Sequence, residues 1–81
     1  MTADYDEEER FSVYQFFEDG QYERVRFLVT MVEAVEAVKH YTTSVGARMG
    51  MVKRVIITDG GDCTCFEWIY GKGQIFPTKE S

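Results

Sequence analysis

This 81-residue chain is poor in proline, histidine and cysteine, with one Pro, one His and two Cys. Two cysteines fall short of the framework that staples small secreted domains, so a cytoplasmic protein with reduced thiols is the expectation. One histidine and two cysteines cannot complete a four-ligand zinc centre from Cys and His within one copy. Long apolar runs are missing too. The longest, Phe27 to Val32, is interrupted by Thr30 and is far too short for a membrane span. The N-terminus is acidic and has no apolar h-region, and Thr78 to Ser81 carry no lipidation signal, so neither a signal peptide nor a membrane anchor is expected.

Positive charge is also scarce. Nine Lys and Arg stand against fourteen Asp and Glu, for a net charge of −5. Five of those acids (Asp4, Asp6, Glu7, Glu8, Glu9) crowd the first ten residues beside Arg10, which leaves the body near neutral. A nonspecific nucleic-acid binder has a basic footprint that this chain lacks.

What is plentiful is aromatic. Six Phe, five Tyr and Trp68 make up 15% of the chain, within 44% hydrophobic and 28% charged residues. That composition suits a folded domain, and the length allows one. Each ring can bury roughly 150–250 Å², which matters in a domain close to the lower limit for a stable core.

Residues 1–10 read as an acidic, solvated tail, with an autoinhibitory arm as the functional alternative. Phe11 to Phe17 reads as a strand, and Glu18-Asp19-Gly20 as a hairpin turn. Tyr22 to Val29 alternates, with Val25, Phe27 and Val29 on one face and Tyr22, Arg24 and Arg26 on the other. Two registers compete. A two-residue loop places Tyr14 and Phe16 over Val25 and Phe27. A three-residue loop with a Gly bulge places Phe11, Val13 and Phe17 there, and is preferred because it buries more apolar surface.

Thr30-Met31-Val32-Glu33 has the form of a capping box. A helix should run from Met31 to about Val45, capped by Gly46, with Met31, Ala34, Val35, Val38, Tyr41, Thr42 and Val45 on its apolar stripe. Val52 to Thr58 and Cys63 to Tyr70 form a second hairpin around Gly60-Gly61. Its expected register sets Val55 against Phe66, Lys53 against Trp68, Ile57 against Thr64 and Arg54 against Glu67. Gly71-Lys72-Gly73 turns again, and Gln74 to Phe76 offers a short edge strand ended by Pro77. The class is α+β, ββαββ(β): two β-hairpins forming a mostly antiparallel sheet with one helix packed on one face. The single domain spans residues 11–77, with 78–81 as a flexible C-terminus.

Several residue groups imitate chemistry. Cys63 and Cys65 share a strand face and would make half of a soft-metal or thiol site, but the remaining ligands are missing. Glu36, His40 and Ser44 form an i, i+4, i+8 row that resembles a triad in residue type, without an oxyanion hole or cleft. Asp59-Gly60-Gly61-Asp62 is too short for an EF-hand and suits a hairpin corner. Gly46 to Gly50 is spaced like a phosphate cradle but follows a helix instead of leading into one, and reads as a linker in which Arg48 is the one candidate anion contact. No cofactor and no catalytic residue are expected.

The sheet face away from the helix is the strongest functional feature. It is expected to carry Tyr14, Phe16, Tyr22, Arg24 and Arg26, joined by Val52, Arg54, Ile56, Glu67 and Ile69. One helix about 10–12 Å across cannot cover four strands spaced about 4.8 Å apart, and it leaves the other face bare. An uncovered apolar face marks an interaction site more often than not. The segments Ser44-Val-Gly-Ala-Arg48, Arg54-Val-Ile-Ile-Thr-Asp-Gly-Gly-Asp62 and Phe66-Glu-Trp68 resemble those of small uncharacterised proteobacterial proteins. The resemblance covers residues 11–77 and implies a bacterial cytosolic protein, with no activity attached. The expected function is a non-enzymatic module that homodimerises or docks a protein partner through its sheet. The alternatives are single-stranded nucleic acid stacking on Tyr14, Phe16 and Tyr22, disfavoured by the acidic charge, and a metal or thiol site at Cys63/Cys65.

Overall fold

In the computed structural model, which describes residues 8–61 and 63–77, the elements follow the order β1 (Phe11–Phe17), β2 (Tyr22–Val29), α1 (Met31–Thr42), α2 (Val45–Arg48), β3 (Val52–Thr58), β4 (Thr64–Ile69) and β5 (Gly73–Phe76). The five strands form one antiparallel sheet in the order β2-β1-β3-β4-β5. The α+β class with a helix on one face of the sheet is therefore correct. The chain leaves β2, crosses β1 through α1, and returns as β3 on the far side of β1. The N-terminal arm through residue 7, Asp62 and residues 78–81 lie outside the described residues, and with them the autoinhibitory reading of the arm.

Local chemistry sets the turns and caps. Glu18-Asp19-Gly20 is a three-residue loop closed by Gly20 N–H to the Phe17 carbonyl at 3.0 Å, with Gly20 at φ +88°. This is the longer-loop register, and Phe11 and Val13 accordingly point into the core at 0% exposure. The Thr30 hydroxyl accepts from the Glu33 N–H at 3.2 Å, and the Glu33 carboxylate accepts from the Thr30 N–H at 3.0 Å. Together these two bonds complete the capping box.

The helix is shorter than its sequence suggests and differently rotated. Thr42 and Thr43 turn their hydroxyls back onto the Val38 and Lys39 carbonyls at 2.8 and 2.6 Å. Ser44 then caps a new turn through the Ala47 N–H, so the expected run to Val45 breaks into α1 and α2. Gly46 sits inside α2 and does not cap α1. The buried stripe is Ala34, Ala37 and Val38, whereas Val35 and Val45 are exposed. The two alanines let α1 sit close over Phe11, Val13, Val55 and Ile57, the centre of the core.

Bulges redistribute side chains between the faces. β2 holds an extra residue where Tyr14 pairs with Arg24 but Val13 with Arg26. A second irregularity follows between Val13 and Phe11, where Leu28 takes φ +54°. Phe27 is thereby expelled from the core to 55% exposure, and its ring lies 4.0 Å from the Arg24 guanidinium carbon. In β3, Phe16 pairs with Arg54 but Phe17 with Val52, which turns Val52 into the core at 4% exposure instead of onto the open face. In the second hairpin Val55 pairs with Trp68, Ile57 with Phe66 and Arg54 with Ile69. The register thus sits two residues from the expected one. A two-residue shift preserves the faces. Arg54 therefore still reaches Glu67, now diagonally, at 2.5 Å.

Gly50 shows how tightly the return from α2 is built. It holds φ +82°, and a Cβ there would stand 3.1 Å from Tyr70 Cζ. Gly50→Ala should lower stability by about 1–2 kcal/mol from the left-handed backbone alone, and further by displacing the Tyr70 ring. Gly20→Ala, at φ +88° with open space around it, carries only the backbone part. Urea unfolding of both variants should place the Gly50→Ala midpoint below that of Gly20→Ala, and equal midpoints would remove any role for Tyr70.

Candidate functional site: the open face of the sheet

β1 and β2 place three rings together on the face away from α1. Phe16 lies directly opposite Tyr22, with ring centroids 5.4 Å apart, and Tyr14 meets Tyr22 on the diagonal at 6.1 Å. β3 continues the surface. The Arg54 guanidinium carbon sits 4.9 Å from the Phe16 ring centroid while its Nε donates to Glu67. Arg24 lies across from Tyr14 and over Phe27. At the other end, Ile69 pairs with Arg54, and Phe76 of β5 pairs with Glu67. The outcome is a band of rings and aliphatic groups crossed by two stacked guanidinium groups, with no helix among the described residues above it. Tyr22, Phe27 and Phe76 are its most open members, at 63%, 55% and 48% exposure.

Seven of the ten residues expected here take part as surface: Tyr14, Phe16, Tyr22, Arg24, Arg54, Glu67 and Ile69, while Val52 has turned into the core. Arg26 does not take part either. The β2 bulge swings it to the helix side, where its guanidinium carbon stands 5.8 Å from the Tyr41 ring. Ile56 is on the open face but only 7% exposed, because Tyr14 and Glu67 flank it on the neighbouring strands. It holds the face together from beneath. Phe27 and Phe76 belong to the surface and were not expected. Phe27 reads as a core residue by alternation, and only the bulge reverses it. Phe76 has a sequence signal in its place on the short edge strand.

Ser44, His40 and Arg48, which imitate catalytic or anion-binding groups, are engaged in local contacts. Ser44 uses its hydroxyl for the α2 N-cap, and His40 stacks edge-on against Tyr41 at 4.8 Å. Arg48 donates from Nε to the Thr43 carbonyl at 3.1 Å, closing the end of α1. Cys63 is exposed and Cys65 half-buried, both as free thiols. Burial, aided by the Asp59 charge, pushes the Cys65 thiol up. That lowers the thiolate fraction of the free Cys65 at neutral pH. Among the described residues no group of three or more His, Cys, Asp or Glu is placed to hold a metal ion.

Asp59 organises the second hairpin turn. Its Oδ1 accepts from the Gly61 N–H at 2.8 Å and the Cys63 N–H at 3.1 Å. These backbone donors hold its carboxyl below the ordinary carboxylate value. Because the folded state favours the ionised form, this group's stabilisation is complete above the unfolded carboxylate pKa. It is lost as pH falls through the lower folded value. Asp59→Asn keeps an oxygen acceptor but does not titrate. The gap in stability between wild type and Asp59→Asn should stay constant near neutrality and narrow below about pH 4. Urea titrations at several pH values would measure it, and a gap that widens in acid would contradict this role.

No helix among the described residues is long and apolar enough to cross a membrane. Comparison with protein-family models, with curated proteins and with solved structures finds nothing that matches this chain.

Proposed function

We propose that this chain is a non-enzymatic interaction module that works through the open face of its sheet, in the cytoplasm of a bacterium. The observation that carries this reading is the uncovered band built on Tyr14, Phe16, Tyr22, Phe27, Ile69 and Phe76. Tyr and Arg are common anchors in interfaces, and stacked guanidinium groups lose little freedom when a partner closes over them.

A second copy of the chain is the favoured occupant. A two-fold pairing needs a self-complementary surface. This face has Arg24, without a described carboxylate partner, toward the β2 side and the Glu67 carboxylate toward the β4 side. Face-to-face packing about a two-fold axis that runs along the strands brings those two ends of neighbouring copies together. Pairing along an edge is less favoured, because bulged or short edge strands make poor templates for a further strand. β2 is bulged and carries Leu28 at φ +54°, while β5 is short and stops at Pro77.

Nucleic acid is a weaker occupant. Arg26 has left the face and Arg54 is already tied to Glu67, so Arg24 is the cation left for phosphates among the described residues of the ring cluster.

Light scattering in reductant over a range of concentrations tests the favoured occupant. The expected result is a mass rising from the 9.4 kDa monomer to twice that value. A mass that stays at 9.4 kDa at millimolar concentration would exclude the second copy.

A further inference from the structure

On its helix side the sheet is also incompletely covered, and the gap has a definite chemistry. Five strands at about 4.8 Å spacing outrun a helix about 10–12 Å across. α1 sits over β1, β2 and β3, and beyond it a cleft of about 370 Å³ opens toward β4 and β5. Val35 and Val38 form one wall, and Ile57, Phe66 and Trp68 form the floor. Lys39 stands on the rim, one helical turn from Val35. The volume falls in the range of small-molecule pockets.

The polar groups around this cleft are unequal. The Thr42 hydroxyl donates to the Val38 carbonyl at 2.8 Å, and the Gln74 amide donates to the Pro77 carbonyl at 2.7 Å. Both are occupied. Lys39 has no ion pair with any described carboxylate, and no acidic residue among those described lines the cleft. Among the described residues the site therefore presents an apolar slot with the Lys39 ammonium at its mouth. Lys72, in the turn before the lining Gly73, adds a second positive charge to this end of the sheet.

We propose that this cleft binds a small amphiphilic carboxylate, with its apolar body against Trp68 and Phe66 and its anionic head at Lys39. The site lies on the opposite side of the sheet from the interaction face and does not depend on it. Apolar burial supplies most of the affinity, and Lys39 selects the charged head over a neutral one.

Trp68 is the only tryptophan, so its emission reports on the cleft directly. The full chain should be titrated with octanoate and, separately, with 1-octanol, in low salt. A saturable emission change with octanoate at lower concentration than with octanol is expected. Lys39→Gln, at an exposed position, should weaken octanoate binding about three- to fivefold and leave octanol unchanged, as befits a solvent-screened ion pair. Val35→Phe fills the slot from the half-open side of the helix and should abolish the response, with circular dichroism confirming the fold. The proposal fails if octanoate gives no saturable change, if octanol binds as tightly, or if Lys39→Gln binds octanoate as wild type does. Saturation that survives Val35→Phe would place the ligand elsewhere and overturn it equally.

Discussion

Phe11→Ala should cost about 3–5 kcal/mol, the range for emptying a fully buried aromatic site. A domain of this size has a total stability of roughly 4–12 kcal/mol, so the variant should lose at least about a quarter of it, and at the low end of that range it unfolds without denaturant. Phe11 has 0% exposure and lies at the start of the interior strand β1, between β2 and β3 and beneath α1. No neighbour can close the cavity without pulling one of those elements inward. The informative comparison is Phe27→Ala. Phe27 is 55% exposed and touches Arg24, not the core. Its loss should cost less than about 1 kcal/mol, the scale of an exposed cation–ring contact. Urea midpoints for the two variants measure the difference. Equal costs would mean that Phe27 belongs to the core after all and that the β2 bulge is misplaced.

Tyr14→Ser combined with Phe16→Ser should convert a dimer of this protein into a monomer that still folds. Both rings are half-buried on the open face, packed on Tyr22 and Arg54 and away from the core centred on Phe11, Val13, Val55 and Ile57. Removing them takes out the middle of the proposed interface and leaves its rim. Central aromatic anchors carry most of an interface's affinity, at about 2 kcal/mol or more each, so losing both shifts the dissociation constant by roughly several hundredfold or more. The monomer itself should lose only the cross-strand ring contacts, about 0.2–1 kcal/mol per pair. The check is light scattering for mass, with circular dichroism for fold. A double variant with wild-type mass at every concentration sinks the interface reading. Arg26→Ser is the companion control: with its side chain over Tyr41, on the helix side, it should leave the mass unchanged.

Much of the architecture is legible from local signals. The Asp-Gly corner, the capping box at Thr30 and the alternation in β1 each depend on residues close in sequence, and each appears where its chemistry puts it, whereas the turn at Gly60-Gly61 closes from Asp59 to Cys63 and shifts its hairpin's register by two residues. The candidate face is legible for the same reason. Tyr14, Phe16 and Tyr22 fall on one side once the loop length is known, and Arg54 and Glu67 stay together because a two-residue shift of register does not change face. The misplacements share one cause. Arg26, Phe27 and Val52 all lie next to a bulge, and one extra residue reverses every side chain beyond it. Val35 and Val45 are misplaced for another reason. Three consecutive hydroxyl residues, Thr42, Thr43 and Ser44, end α1, and the small Ala37 is selected for the closest approach to the sheet.

Two hairpins around a helix, with more aromatic surface than one helix can hide, are already written in the order of the residues. Period-two alternation, turn residues and caps are short-range, and they reside in adjacent positions. Long-range packing alone sets β1 between β2 and β3, turns Phe27 outward and Val52 inward, and makes the uncovered part of the helix side a cleft over Trp68. Those outcomes depend on how a twisted five-stranded sheet fits against a short helix. That fit is set by the volumes of side chains far apart in the sequence.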